Sequence, residues 1–256
     1  AALEFTPAPQ RFRQEIAHRF SEGEGLPGGA VQLIDGALNG TARAFAAGRW
    51  HEFREGKWRE NTALAARSES EFVFPDAGGQ PVTVPLRWSD VRQLIRFGPT
   101  NFLATPGDPY TVVRGKLASM GWPSRYRVNQ IGVSPDGALV LASSAGLFLQ
   151  REGGWQPIRI TDGGGRAWAV ENVLGAAFDS QGRLWFASKA GVGCRTGDTW
   201  KFYEGKDGLP WNDFTGIAAG GDGEVWFGTR LGAIRFDGKE WQYRQGPRWL
   251  PHDDVA

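Results

Sequence analysis

Short apolar runs separated by turn residues recur along the chain at a fixed spacing. Three segments align: Val128–Trp155 (VNQIGVSPDGALVLASSAGLFLQREGGW), Val173–Trp200 (VLGAAFDSQGRLWFASKAGVGCRTGDTW) and Phe214–Trp241 (FTGIAAGGDGEVWFGTRLGAIRFDGKEW). Each begins with an apolar strand and turns at Asp136-Gly137, Gln181-Gly182 or Asp222-Gly223. A second apolar strand follows (Leu139–Ala142, Leu184–Ala187, Val225–Gly228), then a turn at Gly146, Gly191 or Gly232. The glycines at 137, 182 and 223 are spaced by 45 and 41 residues, and so are the tryptophans at 155, 200 and 241. Two separate features with one spacing predict a repeated supersecondary unit. Period-2 alternation in Ala233–Phe236 and Glu240–Tyr243 predicts strands with one solvated face. The inner runs are apolar throughout, which predicts cover on both faces.

The N-terminal half carries weaker copies. Ala30–Trp58 shares Asn39-Gly40, Gly48 and Gly56-Lys57-Trp58 with the pattern. Trp58 and Trp155 lie 97 residues apart, close to two periods. That spacing predicts a degenerate unit over Val91–Ser119, with strands near Val91–Phe97, Asn101–Thr105 and Tyr110–Arg114. Glu71–Pro75 and Val82–Leu86 read as a hairpin around Asp76-Ala77-Gly78-Gly79, an insertion spanning residues 62–87. Four strands per unit and a period of 40–45 residues predict an all-β fold. The expected fold is a β-propeller of five or six four-stranded blades, one domain over residues 1–256. A lone blade leaves two apolar faces in water, so neighbours must cover them. Ile16–Pro27 (IAHRFSEGEGLP) resembles Lys201–Pro210 (KFYEGKDGLP), and Leu250–Val255 reads as the start of another inner strand. Closure by an N-terminal outer strand is therefore expected, with further blades downstream as the alternative. Residues 1–14 read as an extended arm.

The pieces Gly208-Leu209-Pro210, Asp222–Thr229 (DGEVWFGT) and Leu231-Gly232 carry a family resemblance, and Asp179–Ala187 (DSQGRLWFA) matches almost as well. They resemble the two-component regulator propeller repeat. Ser134–Ala142 lacks the tryptophan, and the units before Tyr126 match loosely. The resemblance implies a propeller of the kind found in extracytoplasmic sensor parts of membrane-bound histidine kinases and in other secreted proteins. Its motif residues imply a fold and not an activity.

Composition narrows the function classes. Lys and Arg number 29 against 28 Asp and Glu, so the net charge of +1 offers no bulk attraction to nucleic acid. The single cysteine, Cys194, excludes an intramolecular disulfide and a multi-thiolate zinc site. His18, His51 and His252 are too widely spaced for a metal motif. The 37 glycines and 12 tryptophans suit many short strands joined by turns. The longest apolar stretch, Ala138–Leu149, falls short of the ~18 residues that span a bilayer. The first residue, Ala1, is small and not Met, which fits signal cleavage. The expected location is extracytoplasmic, periplasmic or secreted, and peripheral to a membrane. No cofactor and no metal are expected.

No nucleophile elbow, His-Glu-x-x-His or phosphate loop is present. A different regularity stands out. Each crossing from one unit to the next carries a tryptophan beside polar residues: Trp88, Trp122 with Arg125 and Tyr126, Trp168 with Glu171, Trp211 with Asp213, and Trp249 with His252 and Asp253. In a propeller these crossings share one face, where an aromatic rim with polar edges suits a protein hot spot or a sugar ring. The same regularity is also what loop-stapling core tryptophans would give. The expected function is a non-enzymatic binding module, sensor-like or an accessory subunit docked to a larger membrane-associated assembly. The alternative is a polysaccharide lyase or glycosidase on a propeller scaffold, with Tyr126, Glu171, Asp213, His252 and Asp253 as its candidates.

Overall fold

Each repeat folds as one antiparallel four-stranded sheet in the computed structural model, with its strands in chain order. The structure describes residues 20, 22–36, 42–66, 68–152, 154–220, 223–250, 252 and 254–255. The expected arm at 1–14, the Asn39-Gly40 turn and Asp253 lie outside these residues.

Blade 1 comprises β1 (Val31–Gly36), β2 (Ala42–Ala46), β3 (Arg49–Arg54) and β4 (Lys57–Glu60). A separate hairpin follows, β5 (Phe72–Pro75) and β6 (Pro81–Val84). Blade 2 is β7 (Gln93–Phe97), β8 (Thr100–Ala104), β9 (Pro109–Val113) and β10 (Lys116–Ser119). Blade 3 is β11 (Val128–Val133), β12 (Leu139–Ser143), β13 (Gly146–Arg151) and β14 (Gly154–Pro157). Blade 4 is β15 (Gly175–Phe178), β16 (Leu184–Ser188), β17 (Gly191–Thr196) and β18 (Thr199–Tyr203). Blade 5 is β19 (Phe214–Ala219), β20 (Val225–Thr229), β21 (Gly232–Phe236) and β22 (Trp241–Arg244). The described residues thus form a propeller of five blades, each built from consecutive strands. The degenerate unit at 91–119 is a full blade despite its weak sequence match.

The period-2 pattern explains the packing. Along β16, Trp185 and Ala187 face blade 5, and Leu184 and Phe186 face blade 3. One apolar cluster fills each space between consecutive blades, with Phe102, Ile131 and Leu141 between blades 2 and 3 and Val140, Leu147 and Phe186 between blades 3 and 4. Burying each such side chain contributes about 1.5–3 kcal/mol. The turn glycines allow close approach: Gly191 sits at φ +135°, and a Cβ there would lie 2.3 Å from the Tyr203 carbonyl.

The insertion wedges between blades 1 and 2. Phe72 and Phe74 are fully buried, and Trp50 Nε1 donates to the Val73 carbonyl at 2.7 Å. Arg96 donates to the Pro75 carbonyl and pairs with Asp35, while Arg43 Nε donates to Glu52 at 2.9 Å. Burial alone would raise the Glu52 pKa, but hydrogen bonds from Arg43, Asn61 and Arg54 outweigh it and hold the carboxyl low.

At the axis, the innermost strands have one edge with no strand partner, and glutamine side chains take that place. Gln93 gives and receives one hydrogen bond with the backbone of Ile131, both 2.9 Å. Gln130 does the same to Ile217, reaching from blade 3 to blade 5. Gly175 of blade 4 lies beneath that bridge, and a Cβ there would fall 2.6 Å from Gln130 Oε1.

Candidate functional site

The crossings between blades lie on the same face as the turns between second and third strands, and hydrogen bonds tie the two together. Asn172 N–H donates to the Ser144 carbonyl at 3.1 Å. Ser188 Oγ donates to the Trp168 carbonyl at 2.8 Å, and Asn212 Nδ2 to the Lys189 carbonyl at 3.0 Å. Arg230 N–H donates to the Asp213 carbonyl, and its guanidinium lies 3.7 Å from the Asp213 carboxylate. These ties fix a continuous band across blades 3 to 5.

The five crossing tryptophans do not share one role. Trp122 is 7% exposed, donates from Nε1 to the Tyr126 carbonyl and packs edge-on against Phe148 and Trp155. Trp168 is 3% exposed and stacks on Phe202 with centroids 4.5 Å apart. Trp88 is half-buried, with its ring 5.9 Å from Phe45 in the cluster between blades 1 and 2. Trp249 is half-buried between the guanidiniums of Arg244 and Arg248. Trp211 alone of the five is exposed, at 42%. Trp122 and Trp168 therefore fill spaces between blades and offer no ring to a ligand. Their indole N–H groups find carbonyl or carboxylate partners inside the fold, as buried tryptophans do.

The polar candidates divide likewise. Glu171 and Asp213 are exposed on the band with Trp211. Tyr126 is half-buried beneath Arg125, whose guanidinium lies 4.8 Å from its ring, next to Trp122 on the blade 2–3 crossing. His252 is exposed, and its Nδ1 accepts from the Asp254 N–H at 3.1 Å. Asp253 lies outside the described residues.

Residues that the tryptophan pattern did not flag complete the band. Val170, on the blade 3–4 crossing beside Lys189, and Leu231, next to Arg230 in the turn of blade 5, are also exposed on this band. A cavity of about 400 Å³ opens beside Val170, Glu171 and Lys189, and one of about 200 Å³ beside Trp211, Asn212 and Glu204. The two meet at Ala190. Their sequence signal was a lone apolar residue in a polar turn, which by itself is ordinary surface. The surface therefore alternates apolar side chains with charges of both signs. Such a face can exclude water around an apolar anchor while ion pairs set its register.

A second motif explains why Trp168 is buried. Asp162 accepts from the backbone N–H groups of Gly164 and Arg166, and from Arg166 Nε and Trp168 Nε1 at 3.0 Å each. Asp179 repeats this with Gln181, Arg183 and Trp185. The Trp168 indole and the Arg166 groups hold the Asp162 carboxyl down to about 2. Burial pushes Asp179 up, yet bonds from Trp185 and Arg183 leave it lowered. Burial also pushes the Cys194 thiol up to about 11, which makes it unreactive at neutral pH. Among the described residues, no three His, Cys, Asp or Glu side chains gather as metal ligands would. No described helix is long and apolar enough to cross a membrane.

No family model and no curated protein matches this chain. Solved structures do. The extracellular domain of a hybrid two component system, BT3049 from B. thetaiotaomicron, is similar at 19% identity and a TM-score of 0.50. The match covers 88% of this chain but 29% of that one. YCF48 bound to a D1 peptide is similar at 16% identity and a TM-score of 0.52, covering 79% of this chain and 78% of that one. YCF48 from Cyanidioschyzon merolae gives 15% identity and a TM-score of 0.54, covering 82% and 84%. At these identities the likeness establishes the propeller fold.

Proposed function

We propose that this chain is a non-enzymatic, extracytoplasmic interaction module. It docks onto a protein of a larger membrane-associated assembly through the crossing face of blades 3 to 5. The carrying observation is Trp211, exposed on the same band as the exposed Val170 and Leu231, while Trp122 and Trp168 are buried. An exposed tryptophan on a band that also exposes two aliphatic residues and Glu171, Lys189, Asp213 and Arg230 has the composition of a binding hot spot with a polar rim. Two similarities support the reading. One neighbour of this fold is an extracellular domain, and another, YCF48, was solved with a peptide bound.

Photo-crosslinking tests it. A crosslinking residue placed at position 211 or 231 is expected to trap one protein from native membranes in constant ratio. The same residue at position 97, a half-exposed site on the opposite end of the blades, traps none. Equal trapping at 97 and 211 would contradict the assignment of the face. Binding to a glycan array that depends on Trp211, with no protein trapped, would assign the face to carbohydrate.

A further inference from the structure

Blade 5 has two broad faces, and among the described residues no blade packs on one of them. Trp185 of β16 pairs with Ala177 and Cys194, and Trp226 of β20 pairs with Ala218 and Arg235, the same register position one blade later. Blade 5 covers Trp185, which is 1% exposed, whereas Trp226 is 37% exposed. A cavity of about 330 Å³ runs from Trp226 to Gln130 at the axis. Across the gap, blade 1 leaves Ile34 76% exposed. Among the described residues no apolar cluster joins blade 5 to blade 1, although one joins every other neighbouring pair.

Contacts on the two walls show what shape the gap fits. Val173 leads into the inner strand of blade 4. Its N–H donates to the Ser143 carbonyl at 3.0 Å, and its carbonyl accepts from Asn129 Nδ2 at 2.7 Å. Val255 repeats this on blade 5: its N–H donates to the Thr229 carbonyl at 3.0 Å, and its carbonyl accepts from Thr215 Oγ1. On the other wall, Tyr203 ends the outer strand of blade 4 and packs on Phe236 and Trp241, with centroids 5.3 and 5.4 Å away. A 3-10 turn over Gly205–Asp207 and left-handed Gly208 follow. Phe20 packs in the same way on Phe53 and Trp58 of blade 1, at 5.0 and 6.0 Å. A 3-10 turn over Glu22–Glu24 and left-handed Gly25 follow it. Val255 therefore holds the place on blade 5 that Val173 holds on blade 3, and Phe20 holds on blade 1 the place that Tyr203 holds on blade 5.

We propose that the gap between blades 5 and 1 is a slot for one further four-stranded blade of this repeat, its inner strand continuing from Val255 and its outer strand ending against Phe53 and Trp58, in the place where Phe20 packs. The occupant is a blade, and not a helix or a second copy of the ring, because both walls already hold the backbone and aromatic contacts that a blade makes. Its faces meet Trp226 on one side and Ile34 on the other.

Thiol labelling tests this, since buried Cys194 is a silent background. In the monomeric 256-residue protein, Ala218→Cys and Ile34→Cys are expected to label as fast as Leu231→Cys on the crossing face, at every protein concentration. Slow labelling in the monomer would overturn the slot, because the two faces would then cover each other. Protection that grows with concentration would give the face to a second copy and also overturn it. Next, a copy of residues 174–203 is appended directly after Val255, and copies of 129–157 and 215–244 in parallel. With at least one of them, labelling at positions 218 and 34 is expected to slow at least about tenfold, while Leu231→Cys is unchanged. Failure of all three to protect either position would overturn the proposal. These outcomes are read in the purified protein, with no partner on the crossing face, so they stand or fall separately from docking there.

Discussion

Gln130 and Ile217 lie 87 residues apart, yet the Gln130 amide pairs with both backbone groups of Ile217 as a neighbouring strand would. The bridge skips blade 4, where Gly175 leaves room for it, and it seals an inner edge that would otherwise stay unpaired.

Loss of this bridge should weaken the whole ring. Gln130→Ala strands two buried backbone groups, and a loss of about 2 kcal/mol or more is expected in urea unfolding. Gln130→Glu should cost a similar amount, because a carboxylate cannot donate to the Ile217 carbonyl. Gly175→Ala should also destabilise, by about 1–3 kcal/mol, since its new Cβ would sit 2.7 Å from Ile217 Cγ2.

Equivalent tryptophans should give unequal costs. Trp185→Ala empties a filled space between blades 4 and 5 and removes the donor to Asp179, so about 3–5 kcal/mol is expected. Trp226→Ala removes a ring already partly in water, and the loss should be clearly smaller. Chemical denaturation of the two variants side by side measures the difference.

The repeat was legible in the sequence because glycine turns and outer-strand tryptophans keep their spacing. The four-stranded unit follows from it, and so do five blades, the lower of the two numbers expected. The face proposed for docking was only half legible. A crossing tryptophan that staples a loop and one that faces solvent look alike in sequence, so Trp122, Trp168 and Trp211 could not be told apart. Only Trp168 carries a sequence sign of its burial, the spacing Asp162…Arg166…Trp168 that Asp179…Arg183…Trp185 repeats, whereas Trp122 donates to a backbone carbonyl that no spacing marks. Val170 and Leu231 carried no signal, because their grouping depends on blades stacking side by side.

Acid should loosen the blade 3–4 crossing first. The folded Asp162 carboxyl is held at about 2, below the ordinary value of 3.8, and Asp179 is lowered as well. Groups whose folded pKa is depressed add stability above the unfolded value and lose it as pH falls through the folded one. Stability should therefore be flat at neutral pH and fall from about pH 4 towards pH 2. Asp162→Asn combined with Asp179→Asn should flatten that slope. The melting temperature followed against pH reads both.

Cys194 should resist thiol reagents at pH 7 to 8 in the native protein and react on unfolding. Burial keeps its thiol protonated, with a pKa pushed up to about 11. Reaction in urea with a chromogenic disulfide reports the same transition as tryptophan fluorescence.

The most direct test of the central claim is the affinity of this chain for the protein trapped at position 211, compared with that of Trp211→Ala. Removing a hot-spot tryptophan costs about 2 kcal/mol or more, so Kd should rise roughly thirtyfold with no change in melting temperature. Trp226→Ala, on the face of blade 5 where no described blade packs, should leave Kd unchanged. An unaltered Kd in Trp211→Ala would contradict docking through the crossing face.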